Sequence, residues 1–118
     1  MSERRRILLI DDDEAFRYST SRILTNAGYD VTSYADYRGA LEYLNKGGHA
    51  DVLVTDIVMP DRIHGFALAR MARMHDTAMK VIYVTAYDVP KDEAIGPILR
   101  KPLNDDEFLA HVRDVLAA

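Results

Sequence analysis

The sequence predicts an α/β domain built on one doubly wound, five-stranded parallel sheet, and two observations carry that reading. Short apolar runs alternate along the chain with segments of helical periodicity, the pattern of βα units. The runs also end on polar chemistry. Ile7-Leu8-Leu9-Ile10 leads into Asp11-Asp12-Asp13, Val52-Leu53-Val54-Thr55 into Asp56, and Val81-Ile82-Tyr83-Val84 into Thr85. A fourth run, Pro97-Ile98-Leu99-Arg100, ends at Lys101-Pro102. Buried parallel strands read as near-continuous apolar runs, and open α/β sheets collect ligands beyond the carboxyl ends of their strands. Carboxylates, a hydroxyl and an ammonium therefore converge on one edge, a set suited to phosphoryl groups.

The elements between the strands follow from spacing and caps. Phe16, Thr20, Ile23, Leu24 and Ala27 repeat at helical intervals behind the first strand, with acidic residues at the positive end of the dipole and Gly28 as the stop. Asp30–Tyr34 is half polar, so it belongs near a sheet edge. Asp36 caps a second helix with Ala40, Leu41 and Leu44 inward, ended by Gly47-Gly48. A third helix is predicted from about Phe66 to His75, with Ala67, Leu68, Met71 and Met74 facing the core. From Tyr87 to Gly96 the chain is short, polar and broken by Pro90, which leaves space for one helical turn. Asn104 and Glu107 form a capping-box pattern ahead of Phe108, Leu109, Val112 and Leu116. Right-handed crossovers and two covered faces favour the flavodoxin-like strand order 2-1-3-4-5, which makes the first and third strands neighbours.

Composition narrows the function. The chain has no cysteine, which excludes disulfide and thiolate chemistry and fits a reducing cytoplasm. No apolar run reaches the ~20 residues of a membrane span. The net charge of −4, with Arg and Lys scattered, argues against nucleic-acid binding. Neither a P-loop nor a Gly-rich dinucleotide turn is present. Four tyrosines, Tyr29, Tyr34, Tyr37 and Tyr43, are expected to be partly buried rather than to form a docking patch. His64 reads as a solvated loop residue.

Crowded carboxylates repel one another unless a cation neutralises them, and hard oxygen donors suit Mg²⁺. A carboxylate is also a competent nucleophile toward phosphorus. A cis Lys101–Pro102 bond would fix the loop that carries the ammonium, although trans is the default.

Taken together, Ile7–Asp12, Asp56-Ile57-Val58-Met59-Pro60 followed by Gly65, Val84-Thr85-Ala86, and Lys101-Pro102 resemble the receiver domain of two-component response regulators, across residues 1–118. The resemblance implies that Asp56 accepts a phosphoryl group from a sensor histidine kinase or a histidine phosphotransfer protein and that some downstream protein reads the result. It implies Mg²⁺ held directly by Asp12, Asp56 and the Val58 carbonyl, with Asp11 acting mainly through water. Thr85 would swing in to bond the phosphoryl group, and Lys101 would pair with it or with Asp56. Such a domain catalyses only its own phosphorylation and dephosphorylation, works in the cytoplasm, and has no output domain in this chain. Ala15, Phe16, Ser19 and Leu103 fall at positions that dock the kinase in similar receivers, and Phe16 could equally pack inward.

Three departures stand out. Asp56 to Gly65 spans nine residues, one more than usual, so Asp61–His64 is expected to bulge beside the site. Thr85 to Lys101 spans sixteen, about six short of the family's habit, so the fourth helix must be shortened or poorly formed. Ile98 occupies the position of the family's aromatic switch, which leaves Tyr83 or Tyr87 as substitutes. The short segment before Leu99-Arg100-Lys101-Pro102 is similar to a subgroup of stand-alone proteobacterial receivers linked to HWE-type kinases. Val58 and Tyr87 stand where the family orients the water that hydrolyses the acyl phosphate, and neither suits that task. The rival readings are an interaction module that works without phosphorylation and a Mg²⁺-dependent phosphohydrolase, the latter lacking a second aspartate at Val58.

Overall fold

Five strands, β1 (Arg6–Ile10), β2 (Asp30–Tyr34), β3 (Val52–Asp56), β4 (Lys80–Thr85) and β5 (Ile98–Arg100), alternate with helices α1 (Glu14–Asn26), α2 (Tyr37–Asn45), α3 (Gly65–His75) and α4 (Asp105–Ala117). The structure is a computed structural model and describes residues 4–58 and 64–118. All four strand pairings are parallel, in the order β2-β1-β3-β4-β5. The predicted class and order are therefore the observed ones.

Alternation along the strands feeds two separate cores. Leu8, Ile10, Leu53, Val81 and Tyr83 face the side covered by α2 and α3. Ile7, Leu9, Val54 and Val84 face the other side, closed by Leu24 of α1 with Phe108 and Val112 of α4. Edge strand β2 is only half-buried, in line with its polar half. Three helices are capped by side chains, at Asp36 and Asn104 as predicted and at Asp13, which the sequence marks only as a helix-start charge. Asp13 Oδ1 accepts from the Phe16 N–H at 3.1 Å, Asp36 Oδ1 from Gly39 at 3.2 Å, and Asn104 Oδ1 from Glu107 at 3.0 Å. Helices α1 and α2 end at Gly28 and Gly47, both at positive φ.

One expectation needs correction. Helix α3 buries Phe66, Leu68, Ala69 and Ala72, while Met74 is 83% exposed and Ala67 and Met71 lie on the flank. Small residues at 69 and 72 let the helix approach the sheet closely, and Phe66 supplies the bulk, so the inward stripe is turned away from the methionines. The segment from Tyr87 to Gly96, expected to hold one helical turn in place of a full helix, is as short as its length implied. Between β4 and β5 there is a single turn, closed by the Ala94 N–H on the Lys91 carbonyl at 3.0 Å.

Side chains hold that connector in place of a helix. The Ile95 N–H donates to the buried Tyr83 hydroxyl at 3.3 Å, Arg70 pairs with Glu93 at 2.9 Å, and Arg100 reaches the Asp88 carboxylate and, at 3.2 Å, the Ala86 carbonyl. Tyr83 is pinned in turn by an edge-on contact with Phe66, centroids 4.9 Å apart. Ile98 sits beside Tyr83 in the β4–β5 register, half-buried. No described helix is long and apolar enough to cross a membrane.

Candidate functional site

The carboxyl ends of β1 and β3 are adjacent, with Ile10 opposite Thr55, so the residues that follow them emerge side by side. That register brings one carboxylate oxygen each from Asp11, Asp12 and Asp56 within 4.8 Å of one another. Asp11 is fully buried, Asp56 is 7% exposed, and Asp12 opens to solvent. Strand β5 adds the ammonium. Lys101 Nζ lies 2.6 Å from Asp11 Oδ2 and 3.6 Å from Asp56 Oδ2. The Lys101–Pro102 peptide is cis.

The expected pairing of Lys101 with Asp56 is thus secondary to its bond with Asp11. The other Asp11 oxygen accepts from the Asp13 N–H at 2.9 Å. Asp56 Oδ1 accepts from the Val58 N–H at 3.3 Å, which leaves its second oxygen facing Lys101 and the opening. Burial, then the charge of Asp11, push the Asp56 carboxyl above its ordinary pKa, against the opposing pull of Lys101 and the backbone N–H groups of Val58 and Ile57. Burial works against the charge of Lys101, but its hydrogen bond and attraction to Asp11, with help from Asp56, hold its pKa above the usual value.

The opening above Asp56 is a shallow basin lined by Asp12, Asp13, Asp56, Val58, Tyr87 and Lys101, with Ala86 at its wall. Val58 and Tyr87 give it an apolar rim, 43% and 61% exposed. Thr85 is buried, and its hydroxyl accepts from the Tyr87 N–H at 3.2 Å, so in this state it bonds its own loop. Gly65 at the head of α3 is fitted tightly behind the acceptor. Its N–H donates to the Ile57 carbonyl at 2.8 Å, and a β-carbon there would stand 2.2 Å from the Asp56 carbonyl oxygen. Only glycine permits that approach.

The bulge expected at Asp61–His64 falls outside the described residues except for His64. His64 is exposed, stacks near Phe66 with centroids 5.2 Å apart, and lines a cleft with Arg70 and Pro90 instead of the acidic basin. The four tyrosines are partly buried and do not form one patch. Tyr34, Tyr37 and Tyr43 pack on the α2 side, Tyr29 on the other. Two site neighbours escaped the reading of spacing. Arg17 Nη1 donates to the Asp11 carbonyl at 2.6 Å, and the Phe16 ring faces Lys101 with 4.2 Å from Nζ to the centroid. Their helical offset from the acidic cluster, three to six residues, was the available signal.

The donor set fits Mg²⁺. Three hard oxygen donors of like charge are crowded together, one of them open to solvent, and a single ammonium does not balance them.

The chain belongs to the response regulator receiver domain family, which matches residues 7–113. It is similar to the response regulator receiver protein CpdR of Brucella abortus (strain 2308), 32% identical over 123 residues, covering 97% of this chain and 98% of that protein. It is also 32% identical to the sensor kinase CckA of the same organism over 118 residues, 93% of this chain but 12% of the kinase. A crystal structure of a response regulator receiver protein from Sinorhizobium medicae WSM419 superposes with a TM-score of 0.85 at 31% identity, over 98% of this chain and 97% of that one.

Proposed function

We propose that residues 1–118 act as a receiver unit in which Asp56 is the phosphoacceptor, taking its phosphoryl group from the phosphohistidine of a sensor histidine kinase or a histidine phosphotransfer protein. The observation that carries this reading is the meeting of Asp11, Asp12, Asp56 and Lys101 at one sheet edge, with Asp56 Oδ2 3.6 Å from the Lys101 ammonium. That oxygen attacks phosphorus, the P–O bond forms as the P–N bond breaks, and the imidazole leaves with a proton. Mg²⁺ would be held by Asp12 and Asp56 with the Val58 carbonyl, and by Asp11 mainly through water. When bound, it offsets the crowded carboxylate charge and the charge on the phosphoryl oxygens. Lys101 shifts from Asp11 and Asp56 toward a phosphoryl oxygen. Thr85 gives up its bond from the Tyr87 N–H and donates its hydroxyl proton to another.

That exchange couples the site to the helix-free connector, so a downstream protein reads the segment from Tyr87 to Gly96. The kinase class is supported by the match to a sensor kinase, and a cytoplasmic place of work by the absence of cysteine. Val58 at the rim has no polar side chain and Tyr87 offers only a phenol in place of an amide or carboxylate, a pair poorly suited to orient a hydrolytic water, so the acyl phosphate is expected to outlast a timescale of seconds. Decay of labelled phosphoprotein within seconds would remove that expectation.

Intact mass after incubation with acetyl phosphate and Mg²⁺ tests the reading. One added phosphoryl mass, lost in Asp56→Asn and in EDTA, is the expected result. No adduct in a protein that still binds Mg²⁺ would overturn it in favour of an interaction module that works without phosphorylation.

A further inference from the structure

Lys101 has a third neighbour besides the two carboxylates. The ring of Phe16, on the first turn of α1, lies with its centroid 4.2 Å from Nζ, within reach of a cation–π attraction. Phe16 is only half-buried, at the border of the core beneath α1 and α4. Its place is set by a closed circuit of contacts. Asp11 Oδ2 accepts from Lys101 at 2.6 Å, Asp11 Oδ1 accepts from the Asp13 N–H at 2.9 Å, Asp13 Oδ1 accepts from the Phe16 N–H at 3.1 Å, and the Phe16 ring returns to Lys101. The residue that grips the ammonium thus also fixes, through a helix cap, the ring that grips it from the other side.

We propose that Phe16 is a positioning residue whose ring face holds the Lys101 ammonium at the Asp11–Asp56 gap, ready for a phosphoryl oxygen. This rests on the reading of Asp56 as phosphoacceptor. A ring face suits the task because it attracts a cation yet offers no lone pair that rivals the phosphoryl oxygens for its protons. It also keeps water off one side of the ammonium, where the charge then acts at a lower effective dielectric. A carboxylate in the same place would hold Lys101 too firmly, and an aliphatic side chain would leave it free to turn to solvent.

The test uses the whole chain with Phe16→Leu, Phe16→Tyr and phenylalanines of increasing ring fluorination at position 16. Fluorination drains the ring face of its negative potential while nearly keeping its shape. Two readouts are taken: the proton shifts of the Lys101 ε-methylene by NMR, and the rate of phosphoryl uptake from acetyl phosphate with Mg²⁺. The parent and Phe16→Tyr are expected to show upfield-shifted ε-protons and equal rates. Phe16→Leu is expected to lose the shift and about five-fold in rate, and the fluorinated series to slow in step with fluorination. Parent-like rates across the fluorinated series would overturn the proposal and leave Phe16 as packing, even if Phe16→Leu fails to fold. Should the parent take up no phosphoryl group, the phosphoacceptor reading fails on its own. The ε-proton shift then decides the contact, and an unshifted parent overturns it.

Discussion

Lys101 and Asp11, ninety positions apart in sequence, meet at 2.6 Å with the carboxylate fully buried and the lysine side chain 17% exposed. The pair ties the last strand to the first across the two strands between them. It also places the site's lysine ammonium beside a carboxylate that the proposed chemistry leaves unmodified.

Lys101→Met keeps the aliphatic stem and deletes the charge. Breaking a fully buried pair costs about 3–5 kcal/mol. Here the lysine side chain is 17% exposed, so the pair is not fully buried and a loss on the order of 2 kcal/mol is expected in Mg²⁺-free buffer. Urea denaturation measures it. A loss indistinguishable from zero would mean that Asp11 does not depend on this partner.

Asp56→Asn is expected to show a pH-dependent gain. Burial and the charge of Asp11 raise the Asp56 carboxyl above 3.8. A group that holds its proton more tightly when folded favours folding below its unfolded pKa, and that contribution is lost as pH rises through the folded value. The variant lacks the loss. Its stability relative to the parent should therefore climb as pH rises from about 3.8 through the raised folded value and then level off, in EDTA. Mg²⁺ should narrow the gap by stabilising the parent. A difference that stays flat with pH would contradict the strained carboxylate.

Gly65→Ala puts a methyl group 2.2 Å from the Asp56 carbonyl oxygen and 2.8 Å from the Ile57 α-carbon. Both are backbone atoms, so the head of α3 must retreat. A cost of about 1–3 kcal/mol is expected, with slower phosphoryl uptake because the acceptor strand's end moves too. Thermal melting and the acetyl phosphate rate report the two effects separately.

Tyr83→Phe removes the acceptor for the Ile95 N–H, a bond of 3.3 Å to a buried oxygen, and should cost about 1 kcal/mol. Amide exchange at Ile95 should quicken in the variant. In the unphosphorylated parent, the exposed stretch around Asp88, Lys91 and Asp92 should exchange fast. Strong protection there would count against a mobile responsive surface.

Most of the fold was legible because every strand but β2 declares itself twice, by an apolar run and by the polar residue that follows it. The caps at Asp36 and Asn104 were readable for the same local reason. The inward stripe of α3 was not. Hydrophobicity alone favours Met74 over Ala69 and Ala72, whereas the sheet's close approach selects the small residues. The single turn between β4 and β5 was legible from the residue count, but not that Tyr83, Arg70 and Arg100 supply the bonds that hold it. The convergence of Asp11, Asp12, Asp56 and Lys101 on one sheet edge was readable. The preference of Lys101 for Asp11 was not, because it depends on which oxygen the Val58 N–H occupies and on a ring four residues past the acidic pair.

The circuit through Asp11, Asp13, Phe16 and Lys101 closes on itself, so its members cannot adjust one at a time. Thermodynamic reciprocity then binds the outside of α1 to the acidic edge. If a partner that clasps α1 tilts its first turn and so changes the edge's affinity for a cation, a cation at the edge must change the grip on α1 by the same factor.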